Sequence, residues 1–183
     1  MNLPNKLTLL RIALVPVYLV LQAMDARWTA WAALAVFAVA AFTDLLDGRL
    51  ARARDQVTSF GKFMDPIADK LLVIPATVLM VSQGGLAPAW VCIVWVAREF
   101  AVSGLRMVAA ERGVVIPAGH LGKVKAAAQM VAIMLLTVNL PPLGWLSATA
   151  LYLATVLTVL SCAQYVWEGR HVLKENGKLK IEN

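Results

Sequence analysis

The sequence contains little charge and very little cysteine. Charged residues make up only 15% of its 183 positions, whereas hydrophobic residues make up 60%. A soluble domain is roughly one-quarter charged and one-half apolar. The two cysteines, Cys92 and Cys162, lie in apolar runs, so we predict reduced core residues and exclude a fold held together by disulfides. This composition indicates a protein that folds in a lipid bilayer.

The apolar residues form six segments that approach the roughly 20 residues needed by a membrane-spanning helix. The segments are 7–24, 29–46, 63–81, 87–108, 124–140 and 145–167. Stretches such as 30–43 have no polar face, which argues against a soluble helical bundle. We therefore predict an all-α polytopic membrane protein with six transmembrane helices. Residues 1–169 would form one domain, and residues 170–183 a polar cytoplasmic tail.

The basic residues are distributed unevenly around these segments. Of the 17 lysines and arginines, 14 fall on the N-terminal side of the membrane, and the exceptions are Arg27, Lys70 and Arg98. Basic loops are retained in the cytoplasm, so we predict that both termini lie in the cytoplasm. The net charge of +6 then reflects topology and contact with anionic lipids. Without a base-stacking motif beside it, this charge does not predict a nucleic-acid partner.

Four aspartates lie where the second and third segments meet the cytoplasmic side. Asp44 and Asp47 are three residues apart, and Asp65 and Asp69 are four apart, so each pair shares one helix face. A short loop, roughly 53–60, would make the two helices antiparallel neighbours. Four carboxylates in one low-dielectric cleft repel each other unless a hard cation binds them. Salt bridges to nearby basic residues would explain one or two of these aspartates, but not all four.

Oxygen-only ligands favour Mg²⁺, Mn²⁺ or Ca²⁺ over zinc. Two such ions in one site are suited to phosphoryl transfer. The pattern of carboxylates therefore predicts a divalent-metal site at the cytoplasmic face.

The spacing Asp-x2-Asp-Gly-x2-Ala-Arg-x8-Gly-x3-Asp-x3-Asp resembles the motif of the CDP-alcohol phosphotransferase family. Its eight fixed positions are Asp44, Asp47, Gly48, Ala51, Arg52, Gly61, Asp65 and Asp69. The resemblance implies a homodimeric six-helix membrane enzyme with Mg²⁺ or Mn²⁺, as two ions. Such an enzyme moves a phosphatidyl or similar phosphoryl group from a CDP-linked donor to an alcohol and releases CMP.

The resemblance also implies roles for individual residues. Asp44, Asp47, Asp65 and Asp69 would bind the metal, and Asp69 would in addition be the general base. Contacts to the donor nucleotide would come from Asn5, Thr8, Gly48, Arg52, Thr58 and Gly61. For Asn5, a role as a helix N-cap is an equally good alternative.

The choice of acceptor depends on the second half of the chain. Residues 97–100 and 122–130 resemble the bacterial phosphatidylglycerophosphate synthases, and that likeness extends over most of residues 3–167. It implies CDP-diacylglycerol as donor and sn-glycerol 3-phosphate as acceptor. An acceptor that carries its own phosphate would also suit the cations of these two stretches, Arg98, Lys123 and Lys125.

Arg98 lies deep in the fourth segment, with no acidic residue three or four positions away. We therefore expect its partner to come from another helix or from a ligand. Alternatively, Arg98 pairs with an internal carboxylate, and Lys123 and Lys125 only mark the end of a span. Glu99, seven residues before Arg106, would in that case pair with Arg106.

Three other functions remain open. A sister transferase would share the aspartates but take serine, inositol phosphate or phosphatidylglycerol as acceptor. A cation transporter would use the carboxylates as an ion path, although Glu99 is the one acidic residue deep in the other spans. A scaffold without catalytic activity would have no need for four convergent aspartates.

Overall fold

The computed structural model describes residues 3–24, 26–54, 59–111 and 119–174. Side chains are not described at 3–5, 44–54, 59–66, 68–69 and 171–174. The helices are α1 (Leu3–Ala23), α2 (Arg27–Arg54), α3 (Ser59–Ser82), α4 (Ala89–Glu111), α5 (His120–Val138) and α6 (Gly144–Lys174). A short 3₁₀ turn, Pro141–Leu143, precedes α6. Because each helix overlaps one predicted segment, the all-α membrane class is confirmed.

Two helices continue beyond the apolar segments that predicted them. Helix α2 ends at Arg54, eight residues after the predicted span, and α6 ends at Lys174, five residues beyond the predicted domain boundary. The predicted segments followed apolarity, whereas a helix closes its own backbone hydrogen bonds and continues into polar surroundings. Only residues 55–58 therefore separate α2 from α3, instead of the predicted loop over 53–60.

Several helical stretches have the character of membrane spans. In the described part of the chain, Lys6–Ala23, His120–Val138 and Pro141–Arg170 are long and apolar enough to cross a bilayer. Arg27–Thr43 and Lys70–Ser82 are shorter apolar stretches, in the parts of α2 and α3 whose side chains are described. Helix α4 is continuous, but charged residues such as Arg98 and Glu99 divide its apolar sequence. The chain is a membrane protein.

The interior of the bundle is apolar and closely packed. Helix α1 packs mainly on α2, α5 packs mainly on α6, and α3 and α4 complete the bundle. Tyr18, Phe37 and Ile133 are fully buried, and the buried Trp95 donates a hydrogen bond to Thr155 Oγ1 at 3.0 Å. Large hydrophobic side chains also cover the outer faces, as expected where lipid replaces water. The two cysteines are free, as predicted.

Polar contacts connect three helices at the end of the bundle opposite the aspartates. Gln22 Nε2 donates to Gln83 Oε1 at 3.2 Å and to the backbone oxygen of Thr137 at 3.4 Å. The side-chain amide of Gln83 in turn donates to the backbone oxygen of Gln22. Tyr18 and Thr137 share a hydrogen bond of 3.0 Å nearby. These contacts fix α1, α3 and α5 together at this end.

Candidate active site

The four predicted metal ligands occupy corresponding positions on two consecutive helices. Asp44 and Asp47 lie ten and seven residues before the end of α2, and Asp65 and Asp69 lie six and ten residues after the start of α3. At 1.5 Å per residue, each pair lies about 9–15 Å from the helix ends that residues 55–58 connect. The two pairs therefore lie at similar distances along their helices from residues 55–58. Their side chains lie outside the described residues, so convergence of the carboxylates stays a prediction.

The chemistry of this donor set fits a hard divalent cation. All four side chains are carboxylates, and the two helices that carry them are adjacent in the chain and contact each other. Among the residues whose side chains are described, no group of three or more His, Cys, Asp or Glu forms another candidate metal site. Binding of a divalent metal ion by the four aspartates stays a prediction.

The predicted nucleotide contacts are spread over the same end of three helices. Thr8 lies on α1 with its side chain 1% exposed, facing the interior of the bundle. Gly48 and Arg52 lie in α2 and Gly61 in α3, although only their backbone is described. Thr58 lies outside the described residues.

Asn5 lies inside α1, two residues after its first residue. An N-cap precedes the helical residues, so the alternative role of Asn5 as a helix cap is wrong. Contact with the nucleotide stays a prediction for Asn5, because its side chain is not described.

Arg11 is a residue whose position the sequence did not predict. It was counted among the basic residues at the membrane face, but its side chain is only 1% exposed. Arg11 is one turn after Thr8 and lies on the same buried face of α1. It is eight residues into the helix, or about 12 Å from its first residue. The spacing of three residues from Thr8 was the signal that could have placed it in the interior.

Two of the three predicted acceptor-binding cations come together on one carboxylate. Arg98 Nη1 donates to Glu99 Oε1 at 3.1 Å, and Nη2 donates to Ser161 Oγ on α6 at 3.2 Å. Lys125 Nζ, from α5, donates to the same Glu99 oxygen. The Arg98 and Lys125 side chains are only 11% and 5% exposed, so this ionic cluster lies within the bundle. Lys123 is exposed and is not part of the cluster.

This arrangement corrects one expectation for Arg98 and one for Glu99. We expected the partner of Arg98 on another helix or a ligand, but the structure shows the alternative, an internal carboxylate, which belongs to the next residue of the same helix. Adjacent helical residues point in different directions, so spacing gives no signal for such a pair. Long arginine and glutamate side chains nevertheless reach each other. Glu99 pairs with these cations, whereas Arg106 Nε donates to Tyr165 OH at 2.6 Å.

A contact between α3 and α4 brings the ionic cluster close to the aspartate helix. Lys70, which follows Asp69 in the sequence, donates through Nζ to Ser103 Oγ at 2.6 Å. Ser103 is four residues from Glu99, which is one helical turn, or about 6 Å along α4. The Lys70 contact and the cationic cluster therefore lie on neighbouring turns of α4.

Comparison with known proteins agrees with this layout. Residues 1–160 match the family model described as CDP-alcohol phosphatidyltransferase. The chain is 41% identical to the CDP-diacylglycerol–glycerol-3-phosphate 3-phosphatidyltransferase of Bacillus subtilis, over 94% of this chain and 97% of that protein. Proteins of the same name from Pseudomonas fluorescens and Escherichia coli K12 are 40% and 38% identical. These matches cover 100% and 92% of this chain, and 97% and 95% of those proteins. The chain therefore belongs to the CDP-alcohol phosphatidyltransferase family, whose members generally use divalent metal ions.

Proposed function

We propose that this protein transfers the phosphatidyl group of CDP-diacylglycerol to sn-glycerol 3-phosphate, giving phosphatidylglycerophosphate and CMP. The observation that carries the proposal is likeness over nearly the whole chain to transferases whose names specify that donor and acceptor. The complete aspartate motif, Asp44 to Asp69, supports the same chemistry. The ionic cluster on α4 and α5 supports an acceptor that carries a phosphate.

On the donor side, the aspartate end of α2 and α3 would bind the diphosphate of CDP-diacylglycerol. Two Mg²⁺ or Mn²⁺ ions bound by the four aspartates would neutralise the diphosphate and make its phosphorus more electrophilic. Arg52 and Gly48 lie on the same helix as Asp44 and Asp47, where they would contact the nucleotide. Thr8 is buried on the neighbouring α1 and would reach it from that side.

On the acceptor side, Arg98 and Lys125 would hold the phosphate of glycerol 3-phosphate. Both cations are already positioned by Glu99, and Ser161 restrains the Arg98 guanidinium further. Arg98 Nε is buried and has no hydrogen-bond partner among the described residues. Charge-assisted hydrogen bonds to phosphate are stronger than neutral ones. Lys123, which is exposed, would attract the phosphate as it approaches.

The chemical step then needs a base and an aligned hydroxyl group. Asp69 accepts the proton of the acceptor's primary hydroxyl, whose oxygen forms a bond to the phosphorus next to diacylglycerol. The bond from that phosphorus to the oxygen of CMP breaks, and CMP leaves with the electron pair. Positioning contributes most of the rate in this class of reaction. An acceptor held by Arg98 and Lys125 must therefore place its primary hydroxyl beside Asp69.

The distribution of basic residues supports a defined orientation in the membrane. Both termini and the active site would face the cytoplasm of the bacterial inner membrane, where glycerol 3-phosphate is available. We also propose that the enzyme is a homodimer, as the family resemblance implies.

An acceptor panel tests the proposed function. Purified protein is incubated with CDP-diacylglycerol, Mg²⁺ and, in turn, glycerol 3-phosphate, serine, inositol phosphate or phosphatidylglycerol, and both CMP and lipid products are measured. We expect turnover with glycerol 3-phosphate only. Faster turnover with any other acceptor contradicts the proposal, and cation uptake by proteoliposomes without CMP release would indicate a transporter instead.

A further inference from the structure

The two oxygens of Glu99 are in different situations. Oε1 accepts hydrogen bonds from both Arg98 and Lys125. Oε2 has no hydrogen-bond partner among the described residues. It is also not one of the side-chain atoms in these residues that are both buried and without a partner. The Glu99 side chain is 18% exposed, whereas the two cations beside it are 11% and 5% exposed. One carboxylate oxygen therefore fixes the cations, and the other is an accessible acceptor beside them.

A ligand phosphate bound by Arg98 and Lys125 would bring its own neighbouring groups close to Glu99. Glycerol 3-phosphate carries a secondary hydroxyl on the carbon next to the phosphate-bearing carbon, and its primary hydroxyl lies one carbon further away. An ionised carboxylate can only accept hydrogen bonds, so Oε2 needs a donor such as that hydroxyl. A hydroxyl bound to a charged acceptor also contributes more than a neutral hydrogen bond.

We propose that Glu99 is a specificity-determining residue, whose free oxygen accepts a hydrogen bond from the secondary hydroxyl of the acceptor. The phosphate and this hydroxyl would then fix the acceptor at two points. Two contacts, unlike one, define the direction in which the primary hydroxyl points toward Asp69. This inference rests on the proposed function, because it assumes that the acceptor phosphate binds at Arg98 and Lys125.

A purely electrostatic role for Glu99 makes a different prediction. If Glu99 only balanced the charge of two buried cations, its replacement would affect every phosphate-bearing acceptor equally. If it accepts the secondary hydroxyl, its replacement harms only acceptors that have this hydroxyl. An acceptor pair that differs in this one group separates the two roles.

The experiment compares sn-glycerol 3-phosphate with 3-hydroxypropyl phosphate, which lacks the secondary hydroxyl, in the full-length enzyme. We expect wild type to prefer glycerol 3-phosphate by about 10- to 150-fold in kcat/KM, the range for one charge-assisted hydrogen bond. Glu99→Gln should lose most of that preference, because the amide oxygen is needed by the cations and the amide nitrogen cannot accept. Ser161→Ala is the matched control. It removes another contact of Arg98 and should change kcat/KM for both acceptors by the same factor.

Each outcome supports or overturns the inference. If the ratio of kcat/KM for the two acceptors is near one in wild type, the role of Glu99 is overturned before any variant is made. An unchanged ratio in Glu99→Gln also overturns it. If Glu99→Gln does not fold, Glu99→Asp, which keeps the charge but shortens the side chain, should show the reduced preference. If wild type instead transfers to neither phosphate compound but to another alcohol, the proposed function itself fails.

Discussion

Replacing Arg98 by glutamine should weaken binding of the acceptor specifically. The substitution removes the cation that donates to Glu99 and Ser161, while Lys125 still pairs with Glu99. The Glu99 carboxylate therefore keeps a counter-ion, and we expect the protein to fold. Loss of one charge-assisted contact to the acceptor phosphate costs about 1.5–3 kcal/mol, or a factor of about 10 to 150 in affinity. The KM for glycerol 3-phosphate should rise by that factor, and the KM for CDP-diacylglycerol should change little.

The assay is steady-state kinetics with each substrate varied in turn at saturation of the other. Arg106→Gln is a suitable control because Arg106 lies on the same helix but donates to Tyr165, away from the cluster. It removes the same charge and should leave the KM for the acceptor close to that of wild type. Unchanged saturation by glycerol 3-phosphate in Arg98→Gln would refute the assignment of Arg98, whereas an equal rise in both variants would indicate a general effect of surface potential.

Three further predictions concern the metal site, the topology and the packing of the bundle. Asp47→Asn and Asp69→Asn should each abolish CMP release at any Mg²⁺ or Mn²⁺ concentration while the protein still inserts, because an amide keeps the shape but loses the charge and, at Asp69, the base; near-wild-type rates would contradict these roles. A reporter fused after the last residue should be active only as a cytoplasmic fusion, and a periplasmic signal would reverse the proposed orientation. Trp95→Phe should lower the free energy of unfolding by about 1 kcal/mol, since it removes the buried hydrogen bond to Thr155, and a thermal unfolding midpoint in detergent equal to that of wild type would be evidence against this contribution.

The sequence predicted the helices well because apolar length determines which segments enter a bilayer. It predicted their ends less well, since α2 continues to Arg54 and α6 to Lys174 through polar residues. The aspartate motif could be identified because each aspartate pair lies within a single helix. In a helix, residues three or four positions apart share a face, so sequence distance alone predicts which residues lie together. The structure adds their positions along α2 and α3, while the positions of their carboxylate oxygens remain a prediction.

Contacts between distant helices could not be predicted from local spacing. Arg98 with Ser161, and Lys125 with Glu99, join residues that are 63 and 26 positions apart. The burial of Arg11 was missed for a related reason, since a basic residue near a span end also fits a loop at the cytoplasmic face. Lys123 was grouped with Lys125, although residues two positions apart point to opposite sides of a helix. Lys123 is accordingly exposed, whereas Lys125 is buried.

The ion pair between Arg98 and Glu99 also has a consequence for membrane insertion during synthesis. A single charged residue at the centre of an inserting helix costs about 2.5–3.5 kcal/mol on insertion scales. Both members of this pair belong to α4, so they can neutralise each other before α5 and α6 have left the ribosome. Lys125 then enters with α5 toward a carboxylate that is already in the bilayer, and Ser161 arrives last with α6. The order of the chain thus brings each polar group of this cluster into the membrane after, or together with, a partner.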